Sequence, residues 1–181
     1  MGGNDRFVPV EDGALVSLTA IAAALRPPPA LTVTEWADAH RRLPSKGASE
    51  PGQWRTSRVP FLAEIMDCLS DSHLSKRVVF VKSAQVGGTE CGLNWVGWHI
   101  GTRMAPMLCV QPTLDMAERW SKQRLAPMIE DTPHLRSKIA PARQRDSGNT
   151  TLLKEYPGGV VIVAGANSAS GLRSMPSARI F

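Results

Sequence analysis

The chain has 181 residues, 43% of them hydrophobic, which is enough to bury a core as one small domain or as a piece of a larger one. Its formal charge of +5 suits a polyanionic partner, although the basic residues are scattered rather than gathered into one block. Three widely spaced cysteines and four histidines show neither paired-disulfide nor zinc-ligand spacing, and no apolar run is long enough to span a membrane.

In chain order, residues 1–12 read as loose, and Ala14 to Leu25 reads as an apolar helix stopped by Arg26-Pro27-Pro28-Pro29. Glu11 and Asp12 precede that helix where a secretory leader carries basic residues, so it reads as a segment that docks on the core or on a partner. The organisation expected is an N-terminal helix and proline-rich linker over 1–31, then an α/β unit over 32–181. Thr32-Val33-Thr34-Glu35 has the form of a capping box and opens a helix through about Arg42, with Trp36, Ala39 and Leu43 on one face. Pro44 to Trp54 is a loop by composition. Pro60 to Leu69 forms a second amphipathic helix, with Phe61, Ile65 and Leu69 inward.

Val78-Val79-Phe80-Val81 then reads as a buried strand. It stops at Lys82-Ser83-Ala84-Gln85-Val86-Gly87-Gly88-Thr89, and a helix from Glu90 to Thr102 follows. Strand, glycine-bearing loop and helix is an arrangement that cradles a polyphosphate, because loop N–H groups and the helix N-terminus point at the anion. Against G-x-x-x-x-G-K-[ST] the match is partial. Gly87 and Thr89 fall on the last glycine and the metal-binding hydroxyl. Gly88 occupies the usual lysine position, and Lys82 stands at the front of the loop, where it is either a phosphate ligand reaching back or a solvated charge. Met107 to Val110 is a further buried strand, and Thr113 caps a helix from Leu114 to about Met128. Leu152 to Tyr156 and Val160 to Ala164 flank Pro157-Gly158-Gly159 as strand, turn, strand. Alternation of strands and helices predicts a parallel α/β core with helices on both faces, with the last pair added as a hairpin. The phosphate loop, Gln111-Pro112-Thr113 and Gly165 to Ser174 all follow the ends of strands, where ligands of such sheets bind.

These pieces, taken in order, resemble the ATPase region of the lambda-type (GpA) phage terminase large subunit. The resemblance runs from about Thr32 to Phe181. It rests on Glu35-Trp36-Ala37, Pro51 to Thr56, Val59-Pro60-Phe61, the phosphate loop with its lysine in front, Val110 to Thr113, Gly165 to Ser168 and Gly171 to Ser174. It implies an incomplete P-loop NTPase-like fold of the RecA/terminase type, with ATP and Mg²⁺ as cofactors. Ser83, Ala84, Gln85, Val86, Gly87, Gly88 and Thr89 would offer backbone N–H groups to the phosphates, Lys82 would neutralise charge, and the Thr89 hydroxyl would ligate Mg²⁺. Trp54 and Arg55 stand where the family contacts adenine, with Trp54 equally explained as core cover. Arg173 either stabilises charge at the γ-phosphate or meets backbone and solvent. Family partners are double-stranded DNA, a small terminase subunit and the portal of a procapsid, in an oligomer in the cytoplasm of a bacterial host.

The family's acidic metal-holding strand follows directly after the segment matched by Pro176 to Phe181, and its nuclease domain lies further on. The expectation is therefore an N-terminal fragment that binds nucleotide, hydrolyses it negligibly by itself and leaves a sheet strand unpaired. Two other readings compete with it: a P-loop ATPase of another sort, such as a helicase, and a non-catalytic interaction module acting through the N-terminal helix. Acceptor-lid arginines and downstream helicase motifs are not evident in the sequence.

Overall fold

The computed structural model describes residues 13–25, 30–45, 50–140, 148–167, 172–173 and 175–181. The chain divides into two compact units, Met1–Ala30 and Leu31–Phe181. Of the first, the described part is helix α1, Gly13–Leu25, whose Leu15, Val16, Leu18, Ile21 and Leu25 are exposed. Among the described residues, no helix is long and apolar enough to cross a membrane.

The second unit opens with helix α2, Val33–His40, and its first turn is fixed by chemistry local to the sequence. The Thr32 side chain accepts from the Glu35 amide at 3.2 Å, and the Glu35 carboxylate accepts from the Thr32 amide at 2.8 Å. The inward face is Val33, Trp36 and Ala37, rather than the face expected from Trp36, Ala39 and Leu43. Ala39 lies on the exposed face of α2, and Leu43 falls beyond the helix end in strand β1, Arg42–Leu43, which pairs with β2, Gly52–Gln53. The second expected helix is 3-10 over Pro60–Leu62 and α-helical over α3, Ala63–Cys68. The 3-10 turn rotates the phase, so Leu62 and Met66 are the fully buried residues and Phe61 points out.

Helix α4, Gly88–Thr102, runs through the middle of the unit, and every residue from Cys91 to Gly101 is buried. Its glycines admit an indole. A Cβ at Gly97 would lie 2.5 Å from the Trp36 ring, and one at Gly101 would lie 2.6 Å from Trp36 Nε1. Strand β3, Met107–Gln111, follows, and then helix α5, Leu114–Trp120, capped by the Thr113 hydroxyl. The helical path continues as a π turn over Ser121–Leu125 into α6, Ala126–Asp131, and α7, Pro133–Arg136. Pro127 explains that turn: it has no N–H, and its ring crowds the carbonyl four residues back. The widened winding is marked by the Ala126 amide donating to the Ser121 carbonyl.

The main sheet has the order β4-β5-β3-β6, where β4 is Leu153–Tyr156, β5 is Gly159–Gly165 and β6 is Arg179–Ile180. β5 and β6 lie parallel to β3 on its two sides, with Cys109 opposite Val163 and Leu108 opposite Ile180. β4 folds back antiparallel to β5 through a turn in which Gly158 adopts φ +81°. Phe181 lengthens the β6 edge: its amide donates to Leu108 at 2.8 Å and its carbonyl accepts from Val110 at 2.6 Å. The fold is thus mixed α/β around a sheet that contains parallel pairs.

The expected buried strand Val78–Val81 is corrected by the structure. Among the described residues it forms no strand and pairs with none, and Val79 and Val81 are 76% and 91% exposed. Only its other face touches the protein, with Phe80 packed against the core.

Candidate functional site

The loop after Val81 reaches α4 through two residues in the left-handed region, Gln85 at φ +62° and Gly87 at φ +76°. Gly87 adopts that conformation without strain, whereas Gln85 pays for the tight loop with a Cβ in a disfavoured region. No side chain caps α4, so its first turn presents amides without a side-chain acceptor at the positive end of the helix dipole.

Lys82 lies across this turn. A Cβ on Gly88 would fall 2.3 Å from Lys82 Cδ and 2.4 Å from Lys82 Cε. The space that a side chain would take at the usual lysine position is therefore filled by a lysine from the front of the loop. The absence of a side chain at Gly88 is what lets Lys82 lie over the helix end.

Above the loop is a cavity of about 760 Å³. Lys82, Gln85, Val86, Gly87, Gly88 and Thr89 line one side of it. Gln53, Trp54, Arg55, Arg58, Val59 and Phe61 line another, and Arg124 of the π turn contributes a third wall. Ser83 and Ala84 are exposed on the same loop without lining the cavity. Trp54 is only 6% exposed and donates its indole N–H to Thr56 Oγ1 at 3.0 Å, so it serves as floor, while Arg55 is exposed at the wall. Arg173 is exposed and lies outside the cavity; Gly171 and Ser174 beside it fall outside the described residues. Gln111 and Thr113 do not line the cavity either. Thr113 accepts from the Met116 amide as a helix cap, and the Gln111 carbonyl accepts from Ala166.

The two carboxylates that line the cavity are already engaged. Glu50 is ion-paired with Arg58 at the rim. Glu90 accepts from Arg41 Nη2 at 2.9 Å, and its other oxygen lies 3.8 Å from Arg124 Nη1. Arg41 is 1% exposed; burial pulls its pKa down and Glu90 pulls it back up. This pair ties the end of α2 to the first turn of α4 and fixes the floor of the site. Two of the three thiols are buried, and burial pushes Cys91 up to about 11 and Cys109 up to about 12. No cluster of three or more His, Cys, Asp or Glu side chains that could hold a metal exists among the described residues.

With this geometry in place, comparison with known proteins is direct. Residues 48–181 match the family model described as the phage terminase large subunit gpA, ATPase domain. The chain belongs to that family. It is 34% identical over 145 residues to the terminase large subunit of Enterobacteria phage P21, covering 78% of this chain and 22% of that protein. It is 31% identical over 139 residues to the terminase large subunit of Escherichia phage lambda, covering 77% of this chain and 21% of that protein. The chain thus spans about a fifth of the length of these terminase relatives. No solved structure matches it.

Phe61 and Arg124 line the cavity without being singled out by any sequence pattern as cavity residues. Helical spacing groups Phe61 with Ile65 and Leu69, and the 3-10 turn exposes it instead. Pro127 signals a helix distortion, but not which side chain the distortion carries into the cavity.

Proposed function

We propose that this chain binds ATP with Mg²⁺ in the cavity at the N-terminus of α4, as the nucleotide-binding part of a motor that packages double-stranded DNA. The observation that carries this reading is the Lys82 stem lying over Gly88 beside an uncapped helix end, which makes a cationic, donor-rich cradle. The residues present fit the group. Amides from Ser83 to Thr89 would hold the β- and γ-phosphates, Lys82 would neutralise them, and the Thr89 hydroxyl would ligate the metal. A magnesium ion held by the Thr89 hydroxyl would supply positive charge that offsets the charge of the terminal phosphates. Arg55 and the exposed Phe61 are the residues available to stack on the base, with Trp54 beneath.

A P-loop NTPase-like core over residues 32–181, with 1–31 as an appended helix and linker, is part of the same reading. So are a small terminase subunit, a procapsid portal and further copies of the chain as partners in the host cytoplasm, while Arg173, exposed and outside the cavity lining, is given no role in binding. Binding without turnover is the behaviour proposed for these 181 residues. Glu90, the carboxylate next to the phosphate loop, is held by the buried Arg41 and so is not free to activate water, and Glu50 stands at the exposed rim against Arg58.

Calorimetric titration of Mg·ATP into residues 1–181 tests this directly. Lys82→Ala and Thr89→Ala are each expected to weaken binding by about tenfold or more. Equal affinity in wild type and both variants would overturn the assignment of the cradle.

A further inference from the structure

Arg124 has no place in the reading of the phosphate loop, yet the π turn brings it to the same cavity. Four cations line this space: Arg55, Arg58, Lys82 and Arg124. Arg58 is engaged by Glu50 at the rim. Arg124 faces Glu90, the residue after Thr89, so it stands at the helix-N-terminal end of the cavity where the terminal phosphates are proposed to lie.

Its present partner holds it weakly. Arg41, fully buried, donates to one Glu90 oxygen at 2.9 Å, while Arg124 stands 3.8 Å from the other and is 48% exposed. A half-exposed pair at that distance contributes little, and Glu90 stays neutralised by Arg41 if Arg124 leaves. A polyphosphate offers the guanidinium fork a stronger, bidentate acceptor with several negative charges.

We propose that Arg124 is a phosphate-contacting residue of the nucleotide site, parked on Glu90 when the site is empty and drawn onto the terminal phosphates when it fills. This rests on the nucleotide-binding reading above. It adds a cation delivered from the helix beyond β3, and it assigns the π turn a role: the turn that Pro127 imposes sets the side of the helix from which Arg124 projects.

The test is calorimetry on residues 1–181 with two probes, Mg·ATP and inorganic tripolyphosphate, using wild type, Arg124→Ala, Arg124→Lys and Lys82→Ala. Arg124→Ala is expected to weaken both probes by about tenfold at an unchanged thermal midpoint, with Arg124→Lys recovering part of the loss. If Lys82→Ala weakens Mg·ATP and Arg124→Ala does not, the nucleotide site stands and the role of Arg124 falls. A loss for Mg·ATP with none for tripolyphosphate, or a wild-type site blind to tripolyphosphate, would overturn the phosphate assignment. Absence of Mg·ATP binding in wild type would remove the nucleotide-binding reading itself, and this proposal with it.

Discussion

Two valine-rich stretches of this chain have nearly the same composition and opposite fates. In β5, Val161 and Val163 are 0% and 2% exposed, because β3 and β4 pair on either side and helices cover the sheet. In the stretch Val78–Val81, Val79 and Val81 face solvent, and only Phe80 reaches the core. Both segments have the β-propensity of branched side chains, but propensity supplies only the readiness to be extended. Burial comes from a partner strand, and that is a property of the whole chain rather than of the segment.

The contrast can be broken most severely with a charge. Val161→Asp buries an unpaired carboxylate inside the sheet and is expected to cost about 4 kcal/mol or more, enough to unfold the unit in chemical denaturation. Val81→Asp adds the same group to an exposed position and should change stability by no more than about 0.5 kcal/mol. Similar losses from both would mean that Val78–Val81 is a buried strand in solution.

A finer cut separates the two faces of the exposed stretch. Phe80→Ala removes its one packed side chain and should cost about 2 kcal/mol, between the two aspartate variants, when read from the denaturation midpoint. A neutral result would show that the segment is not seated on the core at all.

The smallest expected effect on stability comes where that stretch enters the loop. Gly88→Ala introduces a good helix former at the first turn of α4 and should shift stability by less than about 1 kcal/mol. Its methyl group occupies the space of the Lys82 stem, so affinity for Mg·ATP should nevertheless fall by about tenfold. Unchanged affinity would show that Lys82 does not need to lie over Gly88 to do its work.

Much of this was legible because it is local. The Thr32–Glu35 capping box, the Thr113 cap, the Pro157–Gly158 turn and strands β3, β4 and β5 each depend on residues a few positions apart. The loop residues Lys82 and Gln85 to Thr89 gather in one cavity for the same reason, being contiguous and held by one helix end. What the sequence did not disclose depends on phase and on pairing. A single 3-10 turn exchanged Phe61 for Leu62 in the core, and a proline-driven π turn carried Arg124 into the cavity wall. The fate of Val78–Val81 turned on a neighbour that no spacing rule within the segment describes.

Helix α4 has a mechanical consequence. It starts at the phosphate loop, is clasped on all sides from Cys91 to Gly101, and ends at Thr102, about 21 Å away at 1.5 Å per residue. The four glycines of α4 would make an isolated helix of this sequence pliant, but here Lys82 lies against Gly88, the Phe181 ring against Gly92, and Trp36 against Gly97 and Gly101. Stiffness is therefore lent to it by its surroundings. The straightness of this rod is thus a property of the packing around it, and a side chain added at Gly92, Gly97 or Gly101 has no free space to enter.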